Sequence, residues 1–304
     1  MIALDGVSKR YRSPFGRTTA ALSDLDLRAS AGEVVGVAGP NGEGKSTLIG
    51  LLLGFLAPTD GSLTIEGLPP RRWIERHGVG YVPEAPVIPP RWTLEAAVLR
   101  YATLADVPAA ERPARRDAAI ARLGLEEHRR KRIRHLSKGT RQRTALAQAL
   151  VRRERLYVFD EPAGGLDPLW TIAFRETVAA LRAPDVLVLI ASHDLDELER
   201  TADRVLILHH GRLRGEVHLG ERGRDGSRLR LVMHAGAALV PEIIVGARQI
   251  AADAFEVPAG DPEALNAALA ALIARGGRIA SLESLRSTLE QSFRDLVREE
   301  PPRE

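Results

Sequence analysis

Along most of this chain, short apolar runs bounded by polar turns alternate with longer stretches whose apolar residues recur every three to four positions. The first thirty residues set apolar positions against polar ones in short alternation (IALDGVSKRY, ALSDLDLRA), the period-two pattern of strands in a small antiparallel sheet. EVVGVAG (33–39) is a short apolar run that enters a glycine-rich turn, and from Ser46 the spacing becomes helical, so the order is strand, loop, helix. GSLTIEG (61–67) is another bounded strand. From residue 85 the texture changes: a proline-rich turn, APVIPPRW, leads into TLEAAVLRYATLA and RRDAAIARLGL, both helical in spacing, which predicts a helical insert over about 85–150. Strand texture returns at RLYVFD (155–160) and DVLVLIAS (185–192), with helical TIAFRETVAALR between them. Strands and helices alternating at this length predict a mostly parallel sheet covered on both faces.

Beyond Gly220 the polar run ERGRDGSR (221–228) reads as a linker. RLRLVMHA (228–235) then reads as a strand, and Asp261-Pro262 as N-cap and first turn of a helix that runs to Gly276. The expected division is therefore a large α/β domain over 1–218 and a small C-terminal α/β module over 219–304.

The length of 304 residues accommodates these two units. Near-balance between 43 basic and 40 acidic residues gives a net charge of +3, which names no partner. The chain has no cysteine, which excludes disulfides, thiolate zinc sites and cysteine nucleophiles. Its longest apolar stretches, LIGLLLGFLA and VLVLIA, fall well short of the roughly 20 residues a spanning helix requires. The N-terminus lacks the apolar core of a signal peptide. The basic run HRRKRIRH (128–135) has no interleaved aromatics for base stacking; it reads as a solvated helix face or a patch facing an anionic membrane surface, with no nucleic acid expected.

Lysine occurs at four positions only, and one of them, Lys45, lies in GPNGEGKST (39–47). This stretch fits the phosphate-binding loop and sits between a strand and a helix, as that pattern requires. Gly39, Pro40, Asn41, Gly42, Glu43, Gly44, Lys45, Ser46 and Thr47 form the candidate nucleotide-binding loop. Backbone N–H groups near Gly42 and Gly44 can form a nest for phosphate, aided by the positive end of the following helix. Lys45 is the compact point charge for β- and γ-phosphates, and Ser46 a ligand for Mg²⁺. YVFDEP ends a strand in two carboxylates: Asp160 is placed for the Mg²⁺ shell and Glu161 to polarise a water toward the γ-phosphate. A third stretch, LSKGTRQR (136–143), joins a hydroxyl N-cap and a glycine to a basic helix start, a second anion site in form.

With Tyr11, GPNGEGKST, VGYVPEAP, LSKGTRQR, YVFDEP, AGGLDP and ASHD following in this order, the chain resembles the ATP-binding subunit of an ABC transporter over about residues 1–218. TLEQSFRDL (288–296) resembles the tail of exporter-type subunits. The resemblance implies a P-loop NTPase core with a mostly parallel sheet, an N-terminal antiparallel β subdomain, a helical subdomain insert and a small C-terminal α/β module. It implies that Tyr11 stacks on adenine, that His193 contacts the γ-phosphate and orients the attacking water, and that Asp167 lies in a loop crossing a dimer interface. Leu136, Ser137, Lys138, Gly139 and Thr140 form the signature that completes the ATP site of a partner. Mg²⁺ is then held through Ser46, Glu84 and Asp160, and Lys45, Glu161 and His193 carry catalysis.

Four positions depart from the family pattern: Glu84 replaces glutamine, Glu43 a small residue, Lys138 glycine and Thr140 glutamine. Glu84, Lys138 and Thr140 resemble exporter subunits. Glu43 puts an acid beside polyphosphate, an unfavourable arrangement unless it points outward into solvent or meets a cation, for which Arg141 or Arg143 of an opposing subunit is the expectation. The implied function is an ATPase that binds ATP and Mg²⁺ in a homodimer or paired ATPase subunit on the cytoplasmic face of the cell membrane. It drives export through separate transmembrane permease subunits. The alternatives are a soluble ATPase of this type acting on ribosomes or DNA, disfavoured by a single set of motifs, and a non-hydrolysing regulator, disfavoured by Glu161 and His193.

Overall fold

The computed structural model describes residues 1–12, 18–164, 168–219, 228–258, 262–284 and 288–298. The expected Asp167, the helix-capping Asp261 and the linker apart from Arg228 lie outside these. Two compact units divide the chain, Met1–His218 with the residues from Leu296, and Leu219–Asp295.

In the first unit, β1 (Ile2–Arg12) pairs antiparallel with both β2 (Thr18–Ala29) and β4 (Asp60–Ile65), a three-stranded sheet in the order β2-β1-β4. A six-stranded sheet follows the order β5-β6-β7-β3-β8-β9, from β5 (Gly80–Val82), β6 (Leu156–Asp160), β7 (Leu187–Ser192), β3 (Val34–Ala38), β8 (Arg204–His209) and β9 (Arg212–His218). All pairs are parallel except β8 with β9. Strands β3, β6 and β7 are buried along their whole length, which is why they read as continuous apolar runs.

One core joins the two sheets. Leu4 and Leu25 of the antiparallel sheet pack with Leu48 and Leu52 of α1 (Lys45–Leu52) and with Val158 and Leu189 of the parallel sheet. Fully buried Trp73 of α2 (Pro70–His77) belongs to the same core, its indole N–H donating to Glu66 Oε2 at 3.0 Å. Region 85–150 contains α3 (Leu94–Leu104), α4 (Arg112–Arg122), two 3₁₀ turns and α5 (Lys138–Leu150). The Thr93 hydroxyl caps α3 by accepting from Ala96 N. The basic run 128–135 does not form the expected helix face. It passes through the 3₁₀ turns, with Arg129 paired to Glu95 and Asp117 and Ile133 buried. Helices α6 (Pro168–Leu181) and α7 (Leu195–Thr201) flank β7 in the chain, and Asp194 caps the latter.

The second unit has its own sheet, β11-β12-β10-β13, from β10 (Arg228–Ala235), β11 (Arg248–Ala251), β12 (Ala254–Pro258) and β13 (Arg278–Ser284), all antiparallel. Leu231, Phe255, Val257 and Leu272 build its core with Val240 of α8 (Val240–Ile243). Leu272 comes from α9 (Pro262–Ala274), and α10 (Thr288–Arg298) ends the described chain. Among the described residues no helix is long and apolar enough to cross a membrane.

Candidate functional site

Parallel strands deliver their C-terminal ends to one edge of the sheet, and the candidate residues follow directly from those ends. Loop 39–47 leaves β3 and enters α1. Gly42 and Gly44 have φ of 90° and 100°, a left-handed conformation that glycine adopts without strain. A Cβ at Gly39 would stand 2.5 Å from Leu208 O, and one at Gly44 2.5 Å from Ala21 O, so both glycines are set by close backbone approach. Around Gly42 nothing lies within 4 Å of such an atom, which leaves the loop open on that side to an approaching group.

Lys45 is only 6% exposed, and its ammonium donates to Gly39 O at 2.5 Å and Pro40 O at 3.1 Å. Its Nζ is also 3.4 Å from Glu161 Oε1. Glu161, equally buried, follows β6 with φ of 46°, and its backbone N–H donates to Ala191 O on neighbouring β7. Its carboxylate accepts from the Ser192 hydroxyl at 3.2 Å and from His193 N at 3.0 Å. His193 Nδ1 stands 2.8 Å from Oε2 of the same carboxylate. A carboxylate only accepts, so Nδ1 carries a proton, and the ring is 56% exposed.

Burial pushes the Asp160 carboxyl up to about 6, with the charges of Glu161 and Glu84 adding to it, while Lys45 and a hydrogen bond from Ser46 act the other way. Three carboxylates facing one ammonium are a surplus of negative charge. The oxygen donors of Ser46, Asp160 and Glu84 are the hard set that Mg²⁺ favours. Tyr11 reaches Thr47 with its hydroxyl 3.5 Å from Oγ1, while its ring is 43% exposed with Lys9 Nζ 5.5 Å from the centroid.

The structure thus brings Lys45, Ser46, Glu84, Asp160, Glu161 and His193 together, and sets Tyr11 beside Thr47. It does not join Leu136, Ser137, Lys138, Gly139 or Thr140 to them: among the described residues no hydrogen bond or ion pair links 136–140 with 39–47. Ser137 caps α5 by accepting from Thr140 N at 3.1 Å, and Lys138 Nζ donates to Gly164 O at 3.3 Å, beyond Glu161.

The family model of ABC transporters matches residues 22–164. A Bacillus subtilis ABC transporter ATP-binding protein, YdbJ, is 33% identical over 72% of this chain and 70% of its own length. The chain belongs to the ABC transporter ATP-binding proteins. A Nod factor export ATP-binding protein I of Paraburkholderia xenovorans is 30% identical over 90% of this chain and 82% of its own. Among solved structures, the dimeric ATP-binding cassette MJ0796 with ADP and phosphate bound is 26% identical, with a TM-score of 0.65 over 72% of this chain and 99% of that one. Like its family, this ABC protein binds ATP and is an ATPase.

One expectation for this ABC protein is overturned. Glu43 does not point outward into solvent. Its side chain is 12% exposed, accepts from His210 N, and lies 3.4 Å from His209 Nδ1 and 3.7 Å from His210 Nδ1. Arg143, one of the proposed cations, donates to Leu123 O and Gly124 O of its own chain. The reason is the close packing of the loop on the end of β8, seen at Gly39 and Leu208, which brings the β8–β9 turn within reach of position 43. Ser192, His209 and His210 were not singled out by sequence reasoning. Ser192 lies inside ASHD, and the adjacent histidines before Gly211 were a visible signal.

Proposed function

We propose that the chain is the ATP-hydrolysing subunit of an exporter and acts as a head-to-tail pair at the cytoplasmic face of the membrane, coupled to separate membrane-spanning subunits. The observation that supports it is Glu161, a buried carboxylate held from four directions by Lys45, Ser192 and the backbone and ring of His193. Such a group is positioned to take a proton from water attacking the γ-phosphate, and His193, which meets both of its oxygens, fixes the orientation of the carboxylate. Lys45 exchanges loop carbonyls for phosphate oxygens, the open side at Gly42 admits them, and the exposed ring of Tyr11 offers a stacking face for adenine. Mg²⁺ held through Ser46, Asp160 and Glu84 supplies charge neutralisation at the phosphates.

The capped start of α5, which has no link to its own phosphate loop, is suited to the γ-phosphate of a second copy. Asp167 is proposed to lie at that interface. For residues 219–304 we propose an exporter-associated accessory module. In support, the P. xenovorans Nod factor export relative aligns over 276 residues, more than 1–218 can hold.

Replacement of Glu161 by Gln keeps the shape and removes the base. Turnover of ATP is expected to fall about 10²- to 10³-fold. With Mg-ATP the variant is expected to double in mass by light scattering. A variant that hydrolyses ATP at the parental rate, or that stays monomeric at saturating Mg-ATP, refutes the proposal.

A further inference from the structure

Beyond the nucleotide site, the loop carries a second group of ligating side chains. His209 ends β8, and His210 and Gly211 turn the chain into β9 with φ of 50° and 69°. Positive φ at both central residues is the tight hairpin turn in which Asn or Asp usually takes the first place, and histidine is among the residues that tolerate it. The two imidazoles lie with ring centroids 3.9 Å apart. Both present Nδ1 to Glu43, and one ligand atom from each of Glu43, His209 and His210 lies within 4.8 Å of the others.

His209 Nδ1 is buried and has no hydrogen-bond partner, although Glu43 Oε1 is 3.4 Å away. A buried polar atom without a partner costs about 1–3 kcal/mol, so its retention calls for a reason. The separations supply one. Two ligands on a tetrahedral zinc ion, at the usual Zn–N and Zn–O lengths, stand about 3.3 Å apart. His209 Nδ1 stands 3.4 Å from Oε1 and His210 Nδ1 3.7 Å from Oε2, so each imidazole faces one oxygen of the same carboxylate, at separations a few tenths of an ångström longer than that edge, which a bound ion can draw in.

The geometry points to a divalent transition-metal site, with zinc as the ion, held by Glu43, His209 and His210 and keeping a fourth position for water. Two imidazoles and a carboxylate are a known zinc donor set, and no thiolate is required in a chain without cysteine. The ion ties the phosphate loop, through Glu43, to the β8–β9 turn. That turn is itself fixed to β2 by the bond from Ser23 N to Gly211 O at 2.8 Å. Zinc therefore restricts the loop that receives ATP, and by linkage ATP and zinc alter each other's affinity.

The test uses the full chain, stripped with a chelator and kept free of nucleotide and Mg²⁺, titrated with zinc against a chromophoric competitor and, separately, with Co²⁺. The parent is expected to bind one zinc per chain and to give the intense visible bands of tetrahedral cobalt. His210→Asn preserves a residue that suits positive φ, and its melting temperature reports whether the turn is intact. In that folded variant zinc affinity is expected to fall at least about tenfold and the cobalt bands to vanish. Glu43→Gln is expected to do the same. Equal zinc affinity in parent and His210→Asn, as binding at Asp160 and Glu84 would give, overturns the site. So does a cobalt spectrum lacking the tetrahedral bands.

Discussion

Glu154 sits in a cleft with Tyr81, Tyr101 and Arg152, and Oε2 of its carboxylate is buried without a hydrogen-bond partner while Oε1 is 3.5 Å from Arg152 Nε. Burial pushes this carboxyl up to about 7 from an ordinary 4.5, and Arg152 only partly opposes it. The folded protein therefore holds a proton that the unfolded chain releases, so this group's contribution to stability falls as pH rises from about 4.5 to 7 and is level above that. Glu154→Gln is expected to be more stable than the parent by about 1–3 kcal/mol at pH 8, with the difference closing below pH 4.5. Asp160, whose raised carboxyl drives the same trend, is common to both proteins and cancels in the comparison. Urea denaturation of the pair across this range checks it, and a gap that does not change with pH rejects the assignment.

The elements that could be read from the sequence are those whose environment is simple. Strands β3, β6 and β7 lie covered on both faces, so their apolar runs are unbroken, and the residues that end them, before Gly39, at Asp160 and before His193, fall together at one sheet edge. Helix α2 was not legible because seven of its eight residues face outward or partly so, and only Trp73 is buried. Strands β8 and β9 were not placed, and with them went the partner of Glu43: His210 lies 167 positions away, and no local pattern spans that distance. Helix α5 was legible at its start, where Ser137 signals an N-cap. Ser137→Ala removes the hydroxyl that accepts from Thr140 N and meets Thr140 Oγ1 at 2.9 Å. It is expected to cost about 1 kcal/mol, a drop in melting temperature of about 2–4 °C, and Ser137→Thr is expected to recover most of it. Thermal melts of the three proteins decide whether the cap stabilises the helix or the hydroxyl is held there for another purpose alone.

At the scale of the whole molecule, hydrophobic clusters that fall in different units, among the described residues, imply two units of cooperativity. One core ties Leu4, Leu48, Trp73 and Val158 together; the other is confined to the Leu219–Asp295 unit, around Phe255 and Leu272. A ligand stabilises only the unit whose native state it binds, by RT ln(1 + [L]/Kd), about 2.7 kcal/mol at a hundredfold excess over Kd. Every proposed ATP contact of this chain, from Tyr11 to His193, falls in the first unit. For a unit of this size that energy is a rise of about 5–10 °C. Calorimetry of Glu161→Gln, chosen so that ATP is not consumed, is expected to show two transitions, with Mg-ATP shifting the larger and leaving the smaller in place. A single transition that moves as one places both cores in the same folding unit, and a shift confined to the smaller places nucleotide in the wrong half of the molecule. Zinc titrated in the same experiment belongs to the larger transition too, because Glu43, His209 and His210 all lie before residue 218. Since both ligands act on one loop, their shifts are expected to depart from additivity, by an amount that measures the coupling between them.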